Sequence, residues 1–175
     1  SSDVCSSDLL EFYATNFRNK DGLFVDKKDI TDPMQEDFTF EDKNTKFKFS
    51  DQAFMMAAYY KYSSFDNDEE EYEKFALDIL DMFTKYREEI YNVSFEELNK
   101  ICLALNIFYK YSGLKMCENL LIDFMDLLIE QYNTKPSLII NAKLDYSCML
   151  FINSTLMYSS TSIHKFKDKI GRAHV

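Results

Sequence analysis

Any chemistry in this 175-residue chain must rest mainly on carboxylates, because 30 Asp and Glu face 20 Lys and Arg and only two histidines. Asn19, Asp21 and Gly22 occupy the third, fifth and sixth places of a calcium loop counted from Phe17. The first and twelfth places would then be Phe17 and Lys28, which do not bind calcium. Asp21-Gly22 therefore reads as a turn. The acidic run at 66–71, DNDEEE, has the composition of an aspartate-rich magnesium motif, but that chemistry needs a second, facing cluster and the sequence offers none. Negative charge there suits the N-terminal end of a helix instead. His164 has no Ser, Cys or Asp constellation around it and reads as a surface residue at a helix start. Cys102, Cys117 and Cys148 lack metal-binding spacing and read as small buried apolar groups. No glycine-rich phosphate loop is present, and neither a metal nor another cofactor is implied. Two carboxylates remain whose placement suits general acid–base work: Asp26, in a long loop, and Asp51, beside Gln52 at the start of a helix.

The elements that would position them follow from composition and periodicity. With 46% hydrophobic and 16% aromatic residues but 3 Gly and 2 Pro, the chain is neither disordered nor a turn-rich all-β protein. A net charge of −10 argues against nucleic acid as a partner, because neutralising phosphate needs a basic face. Apolar runs are broken by Asp or Asn well short of the ~18 residues of a membrane span, so none is expected.

The two ends read as foreign. Residues 1–9, SSDVCSSDL, are what AGT TCA GAC GTG TGC TCT TCC GAT CT would encode, and residues 170–175, IGRAHV, what ATC GGA AGA GCA CAC GTC, its reverse complement over the shared bases, would encode. They are expected to be one sequencing adapter translated in opposite orientations, flanking a native fragment at 10–169 that forms a single domain.

Within that fragment a segment recurs at an offset of 49: Tyr59-Tyr60-Lys61-Tyr62-Ser63-Ser64, then Phe108-Tyr109-Lys110-Tyr111-Ser112-Gly113, then Met157-Tyr158-Ser159-Ser160-Thr161-Ser162. Phe12-Tyr13 reads as the relic of an earlier copy. Each unit predicts two helices. Tyr72, Phe75, Ala76, Ile79, Leu80 and Phe83 make one apolar face, opposite Lys74, Asp78, Asp81 and Lys85, so this is an outer helix. Asn119, Asp123, Asp126 and Glu130 give the helix at 114–132 the same polar stripe. The helices at 51–62 and 95–111 are apolar nearly all round, as inner helices covered on several sides would be. Ser94 and Glu97 form a capping box, and Gly113 falls where a left-handed residue ends a helix. Pro136 separates the second outer helix from a third inner helix at 142–159, and a further helix begins after His164. The tyrosine-rich segments read as contacts stacking one hairpin on the next. Between Thr15 and Phe49 the pattern changes: a turn at Asp21-Gly22 and the alternation Lys46-Phe47-Lys48-Phe49 predict a short β-hairpin within an irregular loop.

An all-α chain of repeated antiparallel hairpins, with buried inner and amphipathic outer helices, resembles part of an (α/α) toroid of the six-hairpin glycosidase type. Six such units would total about 300 residues, each hairpin burying its face on the next. The resemblance is architectural. It implies a carbohydrate-active enzyme in which Asp26 and Asp51 do acid and base work on a glycosidic bond. The alternative is an open α-solenoid, a binding or scaffold module whose partner is a protein.

Overall fold

A computed structural model describes residues 3–34, 38–43, 46–65, 70–134 and 144–167, with side chains from Asp8 onward. The fold is all-α apart from one small hairpin. In chain order the elements are α1 Asp3–Asn16, β1 Lys27–Asp29, β2 Phe40–Asp42, α2 Phe49–Ser63, α3 Glu70–Lys85, α4 Arg87–Ile90, α5 Phe95–Ser112, α6 Lys115–Thr134 and α7 Leu144–Thr161. A last helical turn lies at 164–167. Among the described residues no helix is long and apolar enough to cross a membrane.

Helices α2, α5 and α7 are the inner series. Helix α5 lies between the other two, α3 packs on α2, and α6 packs on α5. The sequence explains this order. Leu98, Ile101, Cys102, Leu105 and Phe108 are all fully buried and surround α5, which therefore needs neighbours on several sides. Helix α3 buries Tyr72, Ala76, Ile79, Leu80 and Phe83, while Lys74, Asp78, Asp81 and Lys85 stay in water.

The repeat is visible in the coordinates down to single hydrogen bonds. Tyr59, Phe108 and Met157, the first residues of the three recurring segments, are each 0% exposed. Gly113 and Ser162 end α5 and α7 in the left-handed region, with φ of 61° and 57°. Gly113 N donates to Tyr109 O and Ser162 N to Tyr158 O, both at 2.8 Å. One residue on, Leu114 N donates to Ser112 Oγ and Ile163 N to Thr161 Oγ1, both at 3.3 Å. The first unit keeps the corresponding bond, Ser64 N to Tyr60 O at 3.1 Å, but Ser64 stays right-handed. Tyr60 stacks one hairpin on the next, meeting Phe108 edge-on at 4.7 Å, while Tyr59 packs within its own hairpin, 5.2 Å from Tyr72. Phe12 and Tyr13, by contrast, are each 36% exposed, so α1 does not end as the repeat units do.

Several expectations are corrected. The β-hairpin exists, but its strands are β1 and β2, paired antiparallel from Lys27–Asp42 to Asp29–Phe40. Residues 46–48 belong to no strand, because Phe47 and Phe49 turn inward onto Tyr86 and Phe83 while the lysines stay exposed. The predicted turn at Asp21-Gly22 is present: Gly22 has φ 78°, and Asn19 Oδ1 accepts from Asp21 N and Leu23 N. Helix α4 was not anticipated. It is held by Arg87, whose guanidinium bonds Asp123 of α6 at 2.8 Å, and by Tyr91, which donates to the same carboxylate at 2.6 Å. Cys102 and Cys117 are buried as expected, but Cys148 is exposed, on a face of α7 that no described element covers. Part of the acidic run at 66–69, Pro136 and residues 170–175 lie outside the described residues.

Candidate functional site

Asp26 and Asp51, nominated from opposite sides of a long loop, line one cleft of about 630 Å³. Its walls include Tyr13 and Phe17 from the end of α1, Phe24 and Val25 from the following loop, Phe47, and Met55 of α2; Lys46 and Lys48 also border it. Two carboxylates and two ammonium groups thus share an otherwise apolar, mainly aromatic surface.

A side chain that sequence reasoning did not single out holds the two carboxylates in register. Gln52 is 0% exposed, and its amide clasps the backbone of Phe24 from both directions. Phe24 N donates to Gln52 Oε1 at 2.9 Å, and Gln52 Nε2 donates to Phe24 O at 2.6 Å. Gln52 adjoins Asp51, and Phe24 stands two residues before Asp26, so this clasp fixes the backbone that carries both acids. The available signal was a glutamine within an inner helix that is otherwise apolar on that side. A buried amide must find partners, and an unpaired loop backbone is the natural one.

Further contacts secure the loop. Phe24 stacks on Tyr59 with centroids 5.6 Å apart, and the Tyr59 hydroxyl donates to Leu10 O at 2.6 Å. Burial pushes the Tyr59 pKa up, which keeps the hydroxyl a donor. Val25 N donates to Phe17 O at 3.0 Å, and Lys43 N donates to Asp26 O at 2.9 Å, tying the β-hairpin to the cleft. Arg18 lies over the Phe75 ring, 3.7 Å from its centroid, and its Nε donates to Gly22 O at 3.1 Å. Its burial lowers the guanidinium pKa against the opposing pull of Asp78.

Asp26 and Asp51 themselves are exposed, so a ligand entering from solvent reaches both. Asp51 lies in the first turn of α2. A second cleft of about 560 Å³, which shares Phe47 with the first, is bordered by Asp21, Asp78, Asp81 and Lys85. Among the described residues, no group of three or more His, Cys, Asp or Glu side chains is arranged to hold a metal ion. His164 is exposed, lies against Tyr158 and lines neither cleft. No family model, curated protein or solved structure matches the chain.

Proposed function

We propose that this chain belongs to a carbohydrate-active protein of the (α/α) toroid kind, and that the cleft between α1, the Phe24–Asp26 loop and α2 receives a sugar. The observation that carries this reading is the convergence of Asp26 and Asp51 on a single aromatic-walled cleft. Pyranose rings present C–H faces that settle on aromatic rings, and Tyr13, Phe17, Phe24 and Phe47 supply those. Two carboxyl groups flanking a glycosidic bond have a defined division of labour. One, protonated, gives its proton to the leaving oxygen. The other, ionised, takes a proton from the attacking water or itself attacks the anomeric carbon.

A second reading, a non-enzymatic solenoid that binds a protein, is favoured by one observation: the outer side of α7 leaves Leu144 77% and Ile152 51% exposed, as a docking surface would. The two readings separate by experiment. Incubation with a broad panel of oligosaccharides should release reducing sugar from at least one, and Asp26→Asn or Asp51→Asn should cut turnover by about two orders of magnitude or more while leaving the helical fold intact. Undiminished turnover in both variants would remove these residues from the mechanism, and the lack of any glycan binding would favour the scaffold.

A further inference from the structure

We infer that the ligand of the Asp26–Asp51 cleft is a neutral oligosaccharide of several units, whose outer sugars lie along an aromatic track leading out of the cleft over Phe12, Phe40 and Phe38. This rests on the carbohydrate reading of the cleft and adds to it the length and charge class of the ligand.

The track begins inside the cleft. Tyr13 and Phe17 line its wall, and their rings lie 4.9 Å apart. Phe17 in turn meets Phe12 at 6.0 Å and Phe40 at 5.5 Å. Phe12 stands edge-on to Phe40 at 6.1 Å and to Phe38 at 6.5 Å, while Phe38 stacks on Phe40 at 6.2 Å. These rings form one connected surface, of which Tyr13 and Phe17 border the cleft and the other three lie beyond it. The surface opens as it leaves: Phe24 in the cleft wall is 7% exposed, Tyr13 and Phe12 36%, and Phe38 67%.

Hydrogen bonds hold the rings in register with the carboxylates. Phe38 and Phe40 flank Thr39, and alternate residues of an extended chain face the same side. Thr39 is fastened at both ends of its peptide unit, Ile30 N donating to Thr39 O and Thr39 N to Thr31 Oγ1, each at 3.0 Å. Val25 N donates to Phe17 O, and the Tyr59 hydroxyl to Leu10 O, which fixes the end of α1 that carries Phe12 and Tyr13. Lys43 N donates to Asp26 O and so joins the hairpin to the loop bearing one of the acids. A surface already ordered in this way loses little freedom when a ligand covers it.

The occupant follows from the chemistry of the surface and from its continuity with the cleft. A sugar held beside Asp26 and Asp51 tethers its neighbours in the chain, so each further unit meets the adjoining rings at high effective concentration. Pyranose rings present C–H faces that suit the negative faces of aromatic rings. All members of the track are uncharged, the two ammonium groups of the cleft are matched by its two carboxylates, and the chain carries a net charge of −10. An acidic glycan would find no compensating charge along the track and would be repelled by the whole.

The test is a length series measured by calorimetry on the intact chain, using cello-, xylo-, manno- and N-acetylchito-oligosaccharides, each as the disaccharide and the hexasaccharide. In at least one series the hexasaccharide should bind about tenfold more tightly, the gain expected from covering one further ring face. Phe38→Ala and Phe12→Ala should each remove most of that gain while leaving disaccharide affinity and helicity unchanged. Phe65→Ala, at a position 74% exposed beyond the far end of α2, should alter neither affinity. Equal affinity for the two lengths, or a gain that survives both track substitutions, would overturn the inference and leave the carbohydrate reading of the cleft standing. Tighter binding of an oligogalacturonate than of every neutral hexasaccharide would overturn the charge class. No binding at either length in all four series would overturn the track and the carbohydrate reading together.

Discussion

The Glu97 carboxylate of α5 reaches across to cap the first turn of α2: Ser50 N donates to Glu97 Oε1 at 2.8 Å, and Ser50 Oγ to Glu97 Oε2 at 3.0 Å. Only half of the capping box expected at Ser94 forms, with Glu97 N donating to Ser94 Oγ at 3.2 Å. The other half of Glu97 serves the neighbouring unit, where it satisfies an amide that α2 leaves without a partner and places negative charge at a positive helix end.

Glu97→Ala should therefore cost about 1–2 kcal/mol, more than a solvent-facing helix charge would. Glu97→Gln, which keeps an acceptor but loses the charge, should cost less. Urea denaturation of both variants beside Glu96→Ala checks the ranking. Equal small losses in all three would mean the link between units contributes little.

Asn99, Asn106 and Asn153 form a buried amide ladder between α5 and α7, with Asn106 Nδ2 donating to Asn153 Oδ1 at 3.2 Å and Asn153 Nδ2 to Asn99 O at 3.0 Å. Asn99 Nδ2 and Asn106 Oδ1 have no partner. Asn153→Leu strands two buried amides and should cost about 2–4 kcal/mol, whereas replacing all three by Leu should recover most of that loss. The denaturant midpoint is the readout. A triple variant less stable than the single one would contradict this view of the ladder.

A Cβ built on Gly113 meets nothing within 4 Å, so its φ of 61° is the only obstacle to a side chain there. Gly113→Ala should lower stability by about 1 kcal/mol through backbone conformation alone. At the equivalent position Ser162→Gly should raise it by a few tenths to about 1 kcal/mol. Opposite shifts in Tm, measured by calorimetry, are the expected pair of results.

Burial raises the thiol pKa of Cys102 and Cys117, which suppresses the reactive thiolate and blocks access as well. At pH 8 and low protein concentration, a maleimide should label Cys148 rapidly and these two only after unfolding. Peptide mass mapping distinguishes them. Prompt labelling of Cys102 in the native protein would mean that α5 is not enclosed.

The fold was legible where the sequence repeats itself. Tyr59, Phe108 and Met157 could be aligned without coordinates, and the stripes of α3 and α6 announced which side faced water. Asp26 and Asp51 were nominated from placement alone, and the coordinates set both on one cleft. What escaped has a common cause: it is polar or short. The four residues of α4 carry no period to read, and its position depends on Asp123, 36 residues beyond Arg87. Strands β1 and β2 span three residues each, so their pairing is set by the loop that brings them together rather than by alternation. Gln52 and Asn153 sit where an apolar pattern expects an apolar residue, and only their partners reveal why. Cys148 reads as apolar, yet its helix face has no neighbour in the described structure.

The most direct test of the proposed site is a titration of the 15N-labelled chain with soluble oligosaccharides, followed by backbone amide chemical shifts. The expected result is a saturable response from at least one glycan, centred on Phe24, Asp26, Phe47 and Asp51, and weakened when Phe47→Ala removes one aromatic wall. Shifts centred on α7, or no response across the panel from a chain that is demonstrably folded, would contradict the assignment of this cleft to carbohydrate.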